Sequence, residues 1–149
     1  MKTALITGSS RGIGKAIAIR LASEGYKVII HGAASFETAE KTKKIIEENG
    51  GMAELVLCNL CDVEQTKELM KKVGDVDVLI LNASLQYRTP WQEITTDACY
   101  EQLNCNFVSS MILIQYAVGY MKKQKWGRLI TIGSVQEAKP LPDMLVYSA

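Results

Sequence analysis

The chain has no uninterrupted apolar run approaching the roughly 18 residues a membrane-crossing helix needs. Its longest candidate, residues 107–121, is broken by Ser109, Ser110 and Gln115. The start of the chain is interrupted by Gly8 and Arg11 too soon for a secretory signal peptide. A soluble, cytoplasmic protein is therefore expected. Charge bias is also missing: Lys+Arg 17 against Asp+Glu 16 leaves a formal net charge of +1. Such a balance gives no reason to expect nucleic acid or an acidic membrane as a partner. Four cysteines in 149 residues do not make a disulfide scaffold. With His31 the only histidine and Cys99 and Cys105 far along the chain, Cys58-x-x-Cys61 lacks the partners a metal site requires. Small buried side chains at a strand end are expected there, and no metal. No repeat, low-complexity tract or linker divides the chain. An apolar fraction of 48% excludes wholesale disorder. At about 100–200 residues per domain, the length is one domain or most of one.

What is present is an alternation of short apolar runs with longer amphipathic stretches. Residues 3–7 form the first β-type run. Ile13, Ala16, Ile17 and Leu21 follow at helical spacing, and Gly25 closes that helix. Residues 28–30 form a second strand. Ser35 is placed to cap a charged helix reaching to about Glu48, followed by an Asn49-Gly50-Gly51 turn. Residues 53–57 read as a third strand. Asp62 with Gln65 can cap the next helix, whose Val63, Thr66, Leu69, Met70 and Val73 share one side. Val76 and residues 78–81 make a fourth strand, and residues 82–96 are irregular. A long helix is expected over about 97–123, apolar nearly all round and so buried by the protein or a partner chain. Residues 128–132 form a fifth strand, apolar and without a further strand in this chain to cover it. Strand and helix alternating in this way imply βαβ units and a parallel α/β sheet.

The first strand runs into Thr7-Gly8-Ser9-Ser10-Arg11-Gly12-Ile13-Gly14 and then a helix. Glycines allow a tight turn and let the backbone approach a pyrophosphate closely. The helix N-terminus adds unpaired N–H groups and the positive end of its dipole. Gly8, Ser10, Arg11, Gly12, Ile13 and Gly14 are therefore candidate dinucleotide contacts. A nucleoside triphosphate loop almost fits at Gly14-Lys15 but fails twice, since Ser9 stands where it needs Gly and Ala16 where it needs Ser or Thr. An NAD site places an acidic residue near the end of the second strand to bind the ribose hydroxyls. Here that stretch reads His31-Gly32-Ala33-Ala34-Ser35, without Asp or Glu. Arg11 is placed to reach a 2′-phosphate and Ser35 to add a neutral donor. NADP is expected over NAD.

Together, Thr7-Gly8-x-x-x-Gly12-x-Gly14, Asn82-Ala83 after the fourth strand, Asn106 in the long helix, Ser134 after the fifth strand and Tyr147 thirteen residues later resemble the short-chain dehydrogenase/reductase family from end to end. The wording Arg11-Gly12-Ile13-Gly14 is most similar to its 3-oxoacyl-carrier-protein reductases and sugar or polyol dehydrogenases. The resemblance implies a Rossmann-type, doubly wound parallel sheet with strand order 3-2-1-4-5, residues 1–149 forming a single dinucleotide-binding domain whose last strands lie outside this chain. It implies hydride transfer between a nicotinamide cofactor and a small carbonyl or alcohol substrate. Tyr147 would be the general acid/base, Ser134 would steady the substrate oxygen, and Asn106 would hold a water in the proton relay. Asn82 and Ala83 would line the adenine ribose, and Asn59-Leu60 would stand beside the adenine. Gln86, Tyr87, Trp91, Val135, Gln136 and Glu137 are candidates to face the substrate. The long helix implies a homo-oligomer, a dimer or tetramer.

Two positions depart from the family pattern. Its Asn-Ala-Gly is Asn82-Ala83-Ser84 here, and its Tyr-x-x-x-Lys would place the lysine at 151, past Ala149. That lysine binds the nicotinamide ribose and lowers the tyrosine from a phenol's ordinary value of about 10. The 149-residue chain is accordingly expected to be inactive as written, and a truncated, non-catalytic dinucleotide-binding module is the alternative reading.

Overall fold

Leu5, flanked in register by Ile29 on one side and Leu79 on the other, shows why the apolar runs form a sheet. Such runs bury both faces only when other strands and two layers of helices surround them. The computed structural model describes residues 1–149. Its strands are β1 (Thr3–Ile6), β2 (Lys27–Gly32), β3 (Met52–Leu57), β4 (Val78–Leu81) and β5 (Arg128–Thr131). They form one parallel sheet in the order β3-β2-β1-β4-β5, as the resemblance implies.

Helices cover both faces, following the period-two alternation of the strands. Ala4, Ile6, Val28, Ile30, Val78 and Ile80 pack with Ala18 and Ala22 of α1 (Gly12–Ser23) and Ala39 and Ile46 of α2 (Phe36–Glu48). Leu5, Ile29, Leu79 and Leu81 turn the other way. They meet Leu69 and Met70 of α3 (Val63–Val73) and Leu113, Ala117 and Met121 of α5 (Ser109–Lys123). The caps read from sequence are present: the Thr38 N–H donates to Ser35 Oγ at 3.3 Å, and the Gln65 N–H donates to Asp62 Oδ1 at 3.0 Å. Gly25, at φ +84°, follows α1 in a conformation that favours glycine.

The sheet's N-terminal edge is pinned by a buried carboxylate. Asp77 Oδ2 accepts the Thr3 N–H at 2.7 Å and Oδ1 accepts from Gln124 Nε2 at 2.8 Å. The Asp77 N–H also donates to the Thr3 carbonyl at 2.9 Å, one residue before β4 begins at Val78.

The expected single long helix is corrected. It is broken into α4 (Thr96–Leu103), a π-turn (Asn104–Val108) and α5. Ser109 Oγ and Ser110 Oγ donate back to the carbonyls of Cys105 and Asn106, at 2.6 and 3.1 Å, where the helix widens. Single π-turns of this kind occur frequently at functional sites. Of the cover expected for its apolar surface, from the protein or a partner chain, this chain by itself supplies only part. The side of α5 carrying Leu113, Ala117 and Met121 is buried, whereas Tyr100 and Phe107 are 61% and 63% exposed and Met111 and Tyr116 are exposed beside them. β5 is exposed at all four residues, as an edge strand. Tyr147 lies inside a short helix, α6 (Leu145–Ser148). No helix is long and apolar enough to cross a membrane.

Candidate active site

The C-terminal ends of the parallel strands open into a cleft of about 820 Å³, within the range of small-molecule sites. Its floor is the β1–α1 turn. Gly8 and Gly12 have φ of +65° and +57°, conformations that glycine adopts without strain. Gly14 is required for a different reason: a Cβ there would lie 2.5 Å from the Gly8 carbonyl oxygen and 2.6 Å from Asn82 Nδ2. Arg11 precedes α1 in extended conformation and makes no side-chain cap. The N–H groups that open α1 therefore have no capping side chain from Arg11, an arrangement that can accept an anion.

Hydrogen bonds from two strands shape this turn. Thr7 Oγ1 accepts the N–H groups of Asn82 and Ala83, both at 2.9 Å, and donates to the Ile80 carbonyl at 3.4 Å. A hydroxyl has one donor and two lone pairs, so Thr7 is fully engaged. Asn82 Nδ2 donates to the Thr7 and Gly8 carbonyls at 2.9 and 3.3 Å. From β2, the Ser9 N–H donates to the His31 carbonyl at 3.0 Å, and the His31 N–H donates to Ser9 Oγ at 3.0 Å. The Gly8 N–H donates to His31 Nδ1 at 3.0 Å. Nδ1 must then carry no proton, so Nε2–H donates to the Cys58 carbonyl at 3.0 Å. Burial pushes His31 down to about 4 from 6.5, which keeps the ring neutral.

The opposite wall brings Ser134 and Tyr147 onto the same cleft. Ser134 follows β5 and starts a one-turn 3-10 helix with a capping box. Its Oγ accepts the Gln136 N–H at 3.2 Å, and Glu137 Oε1 accepts the Ser134 N–H at 3.1 Å. One lone pair of the hydroxyl is thus engaged while its O–H stays free to donate.

Of the residues expected from sequence, Gly8, Ser10, Arg11, Gly12, Ile13, Asn59, Leu60, Asn82, Ala83, Ser134 and Tyr147 line the cleft. Gly14, Ser35 and Asn106 do not. Gly14 packs beneath the turn, and exposed Ser35 caps α2. Asn106 closes a two-bond ring on Leu85, its Oδ1 accepting the Leu85 N–H and its Nδ2 donating to the Leu85 carbonyl, each at 2.8 Å. Gln86 lines the cleft, whereas Trp91 lies outside it and is 66% exposed. Tyr87, Val135, Gln136 and Glu137 also stand outside the lining. Gln136 Oε1 instead accepts the Leu141 N–H at 2.8 Å.

The cysteines are free, and burial pushes the Cys58 and Cys105 thiols up to about 11 and about 12. Protonated thiols are poor nucleophiles and ligands, so these pack rather than react. The sequence reading missed His31 as a clamp on the turn. Its only available signal was a lone histidine at the end of β2.

The chain belongs to the short-chain dehydrogenase family: the sequence model described as short chain dehydrogenase matches residues 2–149. It is 33% identical over 152 residues to the 3-oxoacyl-[acyl-carrier-protein] reductase FabG of Staphylococcus aureus, an alignment covering 99% of this chain and 62% of that protein. Among solved structures it resembles a 3-oxoacyl (acyl-carrier-protein) reductase from Agrobacterium tumefaciens with NADP bound, at TM-score 0.92 and 34% identity, covering 99% of this chain and 58% of that one. A metagenomic short-chain oxidoreductase in complex with NADP superposes at TM-score 0.93 and 28% identity, covering 99% and 68%. The chain thus spans about three fifths of the length of the curated reductase it matches.

The neutral His31 makes stability depend on pH. Below its ordinary value of about 6.5 the unfolded chain takes up a proton that the folded protein refuses until about 4. Stability therefore falls as pH drops through that window, by an amount on the order of 3 kcal/mol across it. Urea denaturation of wild type and His31→Asn between about pH 7 and pH 4.5 checks this. The wild type is expected to lose stability more steeply than the variant, and parallel curves would contradict the assignment.

Proposed function

We propose that this chain is the cofactor-binding part of an NADP-dependent oxidoreductase that interconverts a carbonyl and a secondary alcohol. The observation that carries the reading is the convergence of the β1–α1 turn, Ser134 and Tyr147 on one cleft. The turn supplies close backbone approach and uncapped N–H groups for a pyrophosphate, which fits a dinucleotide. A bound nicotinamide supplies the hydride. The protein's own task is then the oxygen of the substrate. As charge develops on it, the Ser134 O–H donates a hydrogen bond, and the Tyr147 phenol delivers the proton that completes the alcohol. In oxidation Tyr147 takes that proton back. Asn106 holds Leu85 and, through it, the loop beyond Asn82. The second Nδ2 hydrogen of Asn106, beyond the two bonds to Leu85, is the group assigned to the relay water that the resemblance implies.

NADP is favoured over NAD because Arg11 stands exposed in the turn and the end of β2 offers no carboxylate. The NADP-bound neighbours support the same choice. Asn59 and Leu60 are assigned to the adenine, Asn82 and Ala83 to its ribose, and Ser35 to a neutral contact near the 2′-phosphate. The exposed face carrying Tyr100, Phe107 and Met111 is assigned to a second copy of the chain.

Fluorescence titration of wild type and Arg11→Ala with NADP and NAD tests the cofactor choice. The variant is expected to lose about tenfold or more in NADP affinity, the size of one charge-assisted contact, with NAD little changed. Equal losses for both cofactors would contradict the 2′-phosphate assignment. For turnover, the family's lysine falls at 151, so the 149-residue chain is expected to bind NADPH yet reduce none of a panel of ketones. Turnover by this chain would contradict that dependence. Failure to bind either cofactor would contradict the proposed function.

A further inference from the structure

Residue 31 is tied to the glycine turn three times: by its carbonyl to the Ser9 N–H, by its N–H to Ser9 Oγ, and by its ring to the Gly8 N–H. The first two ties use the backbone and are open to any residue other than proline. The third needs an acceptor at the position of Nδ1. We propose that His31 is a positioning residue for the dinucleotide, its neutral imidazole setting the Thr7–Gly8 peptide in the orientation that the cofactor requires. This rests on the cleft being a cofactor site.

The geometry gives the ring two separable jobs. Nε2–H holds the Cys58 carbonyl just past β3 and so braces β2 against β3. Nδ1 holds Gly8, a residue at φ +65° that no side chain of its own restrains. The Gly8 carbonyl in turn accepts from Asn82 Nδ2 and lies directly beneath Gly14. The N–H that Nδ1 holds belongs to the Thr7–Gly8 peptide, whose Thr7 carbonyl accepts from Asn82 Nδ2 at 2.9 Å, so rotation of that peptide breaks this bond as well and shifts the floor under the start of α1. A turn already set before the ligand arrives spares the ordering that binding would otherwise require. His31 is 2% exposed, so a water could replace the lost acceptor only by entering the space the imidazole vacates. Both partners of the ring are backbone groups, so the clamp works only in the neutral tautomer with its proton on Nε2.

Two substitutions separate the jobs. The Oδ1 of Asn falls near the place of Nδ1 but its side chain does not reach Cys58. The amide of Gln reaches the place of Nε2 and leaves the Gly8 N–H without an acceptor. His31→Asn is expected to keep its NADP dissociation constant within about threefold of wild type. His31→Gln is expected to weaken it about tenfold or more, the cost of one part-buried N–H left without its acceptor. Both should melt below wild type, since each loses one of the two ring contacts. Equal NADP affinities, or a weaker His31→Asn, would overturn the proposal and leave His31 a brace between strands. Should neither variant fold, the wild type still decides. In the ¹⁵N-labelled protein a through-bond coupling between the Gly8 nitrogen and His31 Nδ1 is expected before and after NADP is added, and its loss on binding would overturn the proposal. A wild type that does not bind NADP at all would count against the proposed function, not against the clamp.

Discussion

The Thr7 hydroxyl is the contact on which the site most depends. It accepts from Asn82 and Ala83 together and donates to Ile80, so the end of β1 is joined to the end of β4 at the point where the chain must leave the sheet. Parallel strands leave their terminal N–H and C=O groups unpaired at the C-terminal edge, and buried groups of that kind must find partners. Thr7 answers this with one side chain whose capacity is wholly used. The Asn82 amide then holds the Thr7 and Gly8 carbonyls, and the β1–α1 turn hangs between β4 on one side and β2 on the other. The glycines allow the path, and the hydrogen bonds select it.

The central sheet was legible because period-two burial and parallel pairing leave few ways to arrange five short apolar runs. The caps at Ser35 and Asp62 were legible because short polar side chains before a helix have one dominant use. The π-turn was not. It arises from Ser109 and Ser110 bonding back to carbonyls one turn earlier, in a stretch where apolar spacing reads as continuous helix. The apolar surface of α4 and α5 was legible as apolar, but periodicity does not report whether the chain itself or a partner covers it. For the site, spacing after a strand brought the turn, Ser134 and Tyr147 to notice. It did not show that Asn106 closes on Leu85, or that Gly14 is required by packing. Both facts depend on which loops lie beside one another in space. His31 is the clearest case: a lone histidine has many structural uses, and only the position of Gly8 identifies this one.

Two halves of the cleft differ in how they are held. The turn is braced by buried contacts from β1, β2 and β4, so its shape is set by the sheet itself. The Ser134 side is held locally, by the capping box with Glu137 and by the exposed strand β5. A floor held by several strands facing a wall held by one local turn is consistent with the proposed division between a constant dinucleotide and a variable substrate. Rossmann-type sheets place ligands at the C-terminal strand ends for the same reason: that is where loops can vary while strands cannot.

The central claim is that the opening N–H groups of α1, presented by the braced turn, are what the cofactor meets. A ¹⁵N amide titration of the protein with NADP tests it most directly, because the groups in question report for themselves. The largest changes are predicted at Gly12, Ile13 and Gly14, with smaller ones at Gly8 and Ala83 and none along the exposed face of α5. Changes confined to other regions, or no saturable change at the turn, would contradict the account.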